Sequence, residues 1–271
     1  MKLMSTRPRG VVRVTGADAA SYLNGQISQD IEAIPVGDAA WSLVLDPSGK
    51  LVAWFRVHRL DENEFVLDCE PGVVDALIAR LERFKLRTDA TFDIESAWQM
   101  TRHRSDDPVV LSDRNGDLAS EFAWPGFHCT DFLAKVAEPV VNVNDGFEEA
   151  RIRAAVPSTG TDIDEDTIPA EGGQPLIDMS VSFTTGCYTG QELVARINSR
   201  GGNVPRPLRV MEADEPLAVG AAVVYDGQEI GAVTSAAGNV AMGRIQRKAE
   251  VGSEVQVGGV VARVIVPSGE S

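Results

Sequence analysis

Seven residues near position 190 bring together side chains that could do chemistry. Gly186-Cys187-Tyr188-Thr189-Gly190-Gln191-Glu192 holds a thiol, a phenol, an amide and two glycines. A thiol can serve as a redox or sulfur-handling group, as a shared ligand to a transient cluster, or as a packed core side chain. A helix is expected to follow. Thr189 and Glu192 have capping-box spacing. Leu193, Val194 and Ile197 give an apolar face, and Gly201-Gly202 stop it. Cys187 would then sit just before a helix N-terminus, where backbone N–H groups and the helix dipole favour an anion, including a thiolate. A tight turn with a buried Cys and Tyr explains the same residues without chemistry.

Other candidates are scattered. Arg196, Arg200, Arg206 and Arg209 put four cations into fourteen residues, a patch suited to carboxylates or phosphates. Solvated helix arginines read the same way. Asn24 and Gln26 lie near a proposed helix end, where they either face a ligand or cap the chain. Cys69 ends an apolar strand pattern and reads as core. Cys129 follows His128, but adjacency in sequence makes no dyad. The three cysteines form no CxxC and no zinc-ligand spacing, so no metal ligands are assigned. The acidic stretch 157–175 reads as a solvated loop, or as a functional one because of its length.

The elements that must position these residues can be sketched. Strands are expected at 11–14, 39–45, 51–58, 64–69 and 90–94. A helix opens at Pro71, with Val73, Val74, Leu77, Ile78, Leu81 and Phe84 on its apolar face. Asp46-Pro47-Ser48-Gly49 marks a turn. In the middle, strands are expected at 98–102, 109–111 and 118–123, and helices at 130–136 and 145–155. From about 207 onward, short apolar segments punctuated by glycines read as a small antiparallel barrel or sandwich. Strands with packed helices, not a repeated βαβ pattern, give an α+β class.

The chain has 271 residues, 44% of them hydrophobic, enough for two or three domains with real cores. No apolar run reaches membrane-spanning length, so no membrane association is expected. No secretory leader is read at the start. With its scattered thiols, the chain is assigned to a reducing cytoplasm. A formal charge of −15 argues against a broad nucleic-acid-coating surface. A local basic cleft is still allowed.

The heptapeptide resembles the signature of the YgfZ-like folate-binding proteins, relatives of the aminomethyltransferase T-protein of glycine cleavage. Val12-Arg13-Val14-Thr15-Gly16-Ala17-Asp18 with Leu23-Asn24-Gly25-Gln26, then Ile168-Pro169, Val181-Ser182-Phe183 and Gly231-Ala232-Val233-Thr234-Ser235, are similar to other parts of that family. The resemblance implies a three-domain T-protein-like arrangement around a central opening, with a C-terminal antiparallel β-barrel. The implied divisions are 1–48 and 96–177 for a folate-binding domain, 49–95 with a segment near 178–206 for a ferredoxin-like one, and 207–271 for the barrel.

The implied ligand is tetrahydrofolate or a related reduced folate. The implied role is accessory, in iron–sulfur cluster assembly or repair, supporting enzymes such as those that modify tRNA. Assembly or client proteins would be the partners, with direct RNA contact left open. Cys187 becomes the key thiol, and Tyr188, Gln191, Arg196, Arg200, Asn24 and Gln26 become candidate folate contacts. One-carbon transfer or demethylation on folate is the alternative. Two positions depart from the family pattern. Thr185 stands where a lysine commonly precedes the Gly-Cys pair. No carboxylate follows Gly49, where the T-protein carries an aspartate.

Overall fold

A computed structural model describes residues 2–107, 118–122, 124, 126–184, 186–199 and 203–268. In chain order its elements are β1 (Lys2–Thr15), α1 (Ala19–Asn24), β2 (Ala39–Leu45), β3 (Leu51–Asp61), β4 (Glu64–Cys69), α2 (Val74–Arg83), β5 (Thr91–Ser105), β6 (Leu118–Glu121), β7 (His128–Lys135), β8 (Asn142–Val143) and α3 (Phe147–Arg153). There follow α4 (Gln174–Ser180), α5 (Gln191–Ser199), β9 (Leu208–Ala213), β10 (Ala222–Tyr225), β11 (Gln228–Ala232), β12 (Ser235–Ala237), β13 (Val240–Arg244), β14 (Glu254–Val257) and β15 (Val260–Ile265). The chain is thus a mixed helix and strand protein with two antiparallel sheets. The first runs β2-β3-β4-β1-β5-β7-β6, with β8 beside β1. The second runs β11-β10-β14-β15-β9-β13-β12, and one bridge, Gly231 to Ile245, links its end strand to the residue after β13.

Strand alternation explains the two faces of the first sheet. Ala53, Phe55 and Val57 of β3, with Phe65, Leu67 and Cys69 of β4, point to one side. There they are covered by Leu23 of α1 and by Leu77 and Leu81 of α2. Trp54, Arg56, His58 and Asp68 occupy the alternate positions and are buried on the other side. A sheet covered on both faces hides whatever its alternate residues are, charged ones included.

Several expectations change. The helix expected at 130–136 is strand β7, because Thr130 to Lys135 pair with β5 from Trp98 to His103. Long-range pairing outweighs local pattern there. Phe84, placed on the apolar face of α2, is exposed. The segment expected as a strand at 109–111 lies outside the described residues, as do Gly201 and Gly202. The stretch 157–175 is not a solvated loop: Asp162 is fully buried, and its last residues enter a 3-10 turn and α4. Asp162 accepts from Arg151 (2.9 Å), the Ser158 N–H (2.9 Å), Thr234 (2.5 Å) and Ser235 (2.7 Å). Arg244 of β13 donates to Thr167 and Asp164. These bonds tie the second sheet to α3 and to this stretch.

The heptapeptide is seated on the β2–β3 turn by two glycines. Asp46 folds that turn, as its sequence suggests: its Oδ1 accepts from the Ser48 N–H, the Ser48 hydroxyl and the Lys50 N–H at 2.7–2.9 Å. Gly190 has φ +83, and a Cβ there would lie 2.8 Å from Leu45 Cβ and 3.0 Å from the Asp46 carbonyl. Gly49 has φ +84, and a Cβ there would lie 2.7 Å from the Leu193 side chain. Each glycine therefore meets both a backbone and a steric requirement. A Cβ at Gly186 would meet nothing within 4 Å. Gly190→Ala and Gly49→Ala should each lower stability by about 1–3 kcal/mol in urea unfolding, while Gly186→Ala stays close to neutral. Equal stability of all three variants would contradict this docking.

Candidate functional site

The chain enters the Cys187 turn from an anchored segment. Ser28 donates to the Ser180 carbonyl (2.6 Å), and the Ser182 N–H donates to the Ser28 carbonyl (2.9 Å). Helix α5 begins at Gln191, so Gly190, not Thr189, immediately precedes it. Cys187 is an exposed free thiol. Tyr188, next to it, is buried in the cluster that contains Trp41, Leu45, Trp54 and Val194, and burial pushes its phenol up to about 12. Gln191 is half-buried and Arg196 exposed. Thr185 and Arg200 lie outside the described residues.

The other candidates are engaged in holding the chain. The Asn24 Oδ1 accepts from the Ile31 N–H (3.0 Å). The Gln26 Oε1 accepts from Arg80 (3.1 Å). Cys69 and Cys129 are buried. Burial raises their thiols to about 12 and about 11 respectively, so both are neutral and poorly nucleophilic.

A cleft of different character lies on the Trp54 face of the first sheet. Its lining includes Arg9, Trp41, Trp54, Arg102, Arg104 and Trp124, with Glu70 at the edge. Under it runs a buried ionic network. Asp68 accepts from Arg9 (2.9 Å), from Arg56 through both oxygens (2.8 and 3.0 Å), and meets His58 at 2.7 Å. Arg56 continues to Asp131 (2.6 Å), which also pairs with Arg104 (2.5 Å). Glu70 pairs with Arg9 and, at 3.5 Å, with Arg102. The register makes this possible: Arg56 stands opposite Asp68, and Arg102 opposite Asp131.

Aromatic rings complete the walls. Trp41 stacks on Trp54 with centroids 4.4 Å apart. The Arg56 guanidinium lies 4.9 Å from the Trp41 ring, and that of Arg104 lies 4.2 Å from Trp124, within cation–π range.

Charge in this network is unbalanced. Four guanidiniums, of Arg9, Arg56, Arg102 and Arg104, face three carboxylates, those of Asp68, Glu70 and Asp131. Burial would raise the Asp68 carboxyl, but Arg56, Arg9 and His58 override it and hold it well below the usual carboxylate range. Asp131 and Glu70 are lowered in the same way, against burial, by Arg104 and Arg56 and by Arg9 and Arg102 respectively. Arg102 carries the excess. Burial, then the neighbouring Arg9, lowers it to about 10. The Arg104 Nε is buried with no hydrogen-bond partner among the described residues. An anion at the cleft would relieve both.

None of these arginines or tryptophans was singled out as functional from the sequence. Cys187, Tyr188 and Gln191 do not line the cleft; Tyr188 packs in the cluster behind its tryptophans. Among the described residues no group of three or more His, Cys, Asp and Glu is placed to hold a metal ion, and no helix is long and apolar enough to cross a membrane.

Comparison with known proteins decides the kinship. No protein-family model matches the chain. It is 27% identical over 223 residues to "Iron-sulfur cluster assembly factor IBA57 homolog, mitochondrial" of Mycosarcoma maydis, covering 74% of this chain and 54% of that protein. It is 26% identical over 234 residues to "tRNA-modifying protein YgfZ" of Hamiltonella defensa, covering 72% and 65%. The chain thus spans about half to two thirds of the length of these relatives. Its fold matches the glycine cleavage aminomethyltransferase T of Bartonella henselae with a TM-score of 0.76, at 15% identity, over 99% of this chain and 86% of that one. The chain is similar in sequence to YgfZ-like proteins, and its fold is that of the aminomethyltransferase T. In this YgfZ-like chain the fold follows that likeness, and the arginine–tryptophan cleft is the chemical feature on which a function can be argued.

The network sets an acid limit on stability. Asp68 and Asp131 have folded pKa values below their unfolded ones. Their contribution is therefore full above the unfolded carboxylate value of about 3.9 and is lost as pH falls through the lower folded values. Unfolding measured from pH 7 downward should show stability falling below about pH 4. Asp68→Asn leaves Arg9 and Arg56 buried without their partner, so it should cost about 3–5 kcal/mol at pH 7 and flatten that acid limb. An unchanged pH profile in this variant would contradict the assignment.

Proposed function

We propose that this protein is a folate-binding accessory factor in iron–sulfur cluster assembly or repair, supporting enzymes such as those that modify tRNA. The observation that carries the reading is the cation-rich, tryptophan-walled cleft in a chain of net charge −15 whose relatives bear iron–sulfur and tRNA-modification names. A reduced folate has a flat pterin and an anionic glutamyl tail. Indole faces suit the first and excess guanidinium charge the second, so the chemistry of the lining fits. The water-accessible interior of the cleft is only about 40 Å³. A pterin ring therefore enters when the lining side chains move apart, and otherwise the ligand lies along the mouth.

Bound folate would supply one-carbon or pterin chemistry. The residues of this chain bind and orient: Arg102 and Arg104 attract the anion, and Trp41, Trp54 and Trp124 exclude water from it. Cys187 is the key thiol of this reading. A single cysteine does not hold an iron–sulfur cluster, so its contact with one is shared with a client protein, for which its exposure is suited. Arg196, Arg200, Tyr188, Gln191, Asn24 and Gln26 are proposed as further folate contacts on the family resemblance alone, and those among the described residues lie outside the lining of this cleft. A cytoplasmic setting goes with it.

The three-domain division, with joins near 48, 95, 177 and 206, and the barrel over 207–271 belong to the same proposal. All seven strands of the second sheet fall in that last span, and the Gly231–Ile245 bridge supports closure there. The joins near 48 and 95 fall at the β2–β3 turn and within β5.

The alternative is aminomethyl transfer or demethylation on folate, which rests on the shared fold. It needs a carboxylate poised for an amine, and Asp46 is instead bonded into its own turn. Incubation with tetrahydrofolate and an aminomethylated carrier protein should give no rapid methylenetetrahydrofolate; rapid formation would favour the alternative.

The accessory role is tested by complementing a null strain and reading an iron–sulfur-dependent tRNA modification. Cys187→Ser should fold with a thermal midpoint near that of the parent, because the side chain is exposed, and should fail to restore the modification. Full restoration by Cys187→Ser would overturn the role given to the thiol.

A further inference from the structure

The end of α2 is an apolar and cationic surface that the folate reading leaves unused. Phe84 is 40% exposed and Leu86 84% exposed. Single exposed leucines need no explanation. Here two large apolar side chains sit between Arg83 and Arg87, both exposed, on a molecule of net charge −15. Lys85 is committed, donating to Glu82 (2.8 Å) and to the Ala90 carbonyl (2.9 Å). Arg83 and Arg87 form no ion pair among the described residues, and Arg87 is held at φ +53, a conformation unfavourable for a residue other than glycine.

This surface is fastened to the Cys187 turn. From α2, Arg80 donates its Nε–H to the Leu45 carbonyl (2.9 Å) and stands 4.3 Å from the Phe84 ring. Leu45 is the residue against which Gly190 packs. A partner held at the end of α2 is therefore held on the scaffold that seats the exposed thiol.

We propose that Arg83 to Arg87 is a docking surface for an acidic protein segment carrying an apolar side chain. Carboxylates of the segment would meet Arg83 and Arg87, and its apolar residue would cover Leu86. Charge complementarity selects this occupant: on a molecule of net charge −15 an acidic segment is steered to exposed local cations such as Arg83 and Arg87. Single-stranded RNA is disfavoured. The Phe84 ring is already attended by the Arg80 and Arg83 guanidiniums, which compete with base stacking, and Arg83 and Arg87 alone give little phosphate affinity.

The test uses the full chain and fluorescence anisotropy with short labelled probes: a glutamate-rich peptide with leucines, the same peptide with serines in their place, a lysine-rich leucine peptide, and oligouridylate. The acidic leucine peptide should bind saturably, more weakly at high salt, and at least about tenfold tighter than the other three. Leu86→Asp and the double variant Arg83→Glu with Arg87→Glu should each weaken it by about tenfold or more at unchanged thermal midpoint. Val219→Asp, at another exposed apolar position, should leave it unchanged. The proposal is overturned by no saturable binding, by equal or tighter binding of the lysine-rich peptide or the RNA, or by α2-end variants that bind like the parent.

Discussion

Asp68 has no exposed surface and three nitrogen-bearing partners on two neighbouring strands, Arg9 on β1 and Arg56 and His58 on β3. An ion pair buried this deeply gains little over a hydrophobic pair of the same size. Its consequence is positional. Arg56 cannot leave Asp68 without abandoning a charge in the interior, and it also reaches Asp131, which fixes Arg104. One carboxylate thus sets where guanidiniums from three strands stand against the stacked tryptophans. The cleft inherits its surplus of positive charge from that arrangement. Nearby anions are all committed; among the described residues Arg102 has a single long contact, 3.5 Å to Glu70, and the Arg104 Nε has no hydrogen-bond partner.

The two halves of the chain are joined by the same kind of interaction. Asp162 is buried between α3 and the second sheet and gathers Arg151, Thr234 and Ser235. Lys50, in the turn that seats the heptapeptide, reaches Asp166 (2.7 Å), and Thr167 accepts from both the Leu51 N–H (2.8 Å) and Arg244 (2.7 Å). The acidic stretch that carries Asp162, Asp164 and Asp166 is therefore a set of fasteners between the second sheet and the β2–β3 turn.

Much of this was legible in the sequence where the signal is local. The Asp46 turn, helix α2, the alternation in β3 and β4 and the glycine-punctuated strands after 207 all follow from neighbours within a few residues. The cysteine turn was legible as a motif, although the reason for Gly190, the close approach of Leu45, lies about 145 residues away in the chain. The cleft was hidden because its lining is spread from Arg9 to Thr159. A single strand with Arg56 and His58 at alternate positions looks like one with a wet face. Only the pairing register reveals that Asp68 stands opposite Arg56 and Asp131 opposite Arg102, and that the face is dry. The available hint was Trp54-Phe55-Arg56-Val57-His58, bulky on both faces. Phe84 failed in the opposite direction: it fits the helical period of α2, yet it falls just past the last helical turn and points outward.

On the proposed function, the surplus charge in the cleft serves a ligand and not the fold. Isothermal titration of tetrahydrofolate into the parent chain and into Arg102→Met tests it most directly. Arg102 is lowered to about 10 by burial and by Arg9, so replacing it should leave the thermal midpoint unchanged or raise it. Binding should be saturable in the parent and at least about tenfold weaker in the variant. No binding by the parent up to millimolar folate, or equal affinity in a stable Arg102→Met, would contradict the account.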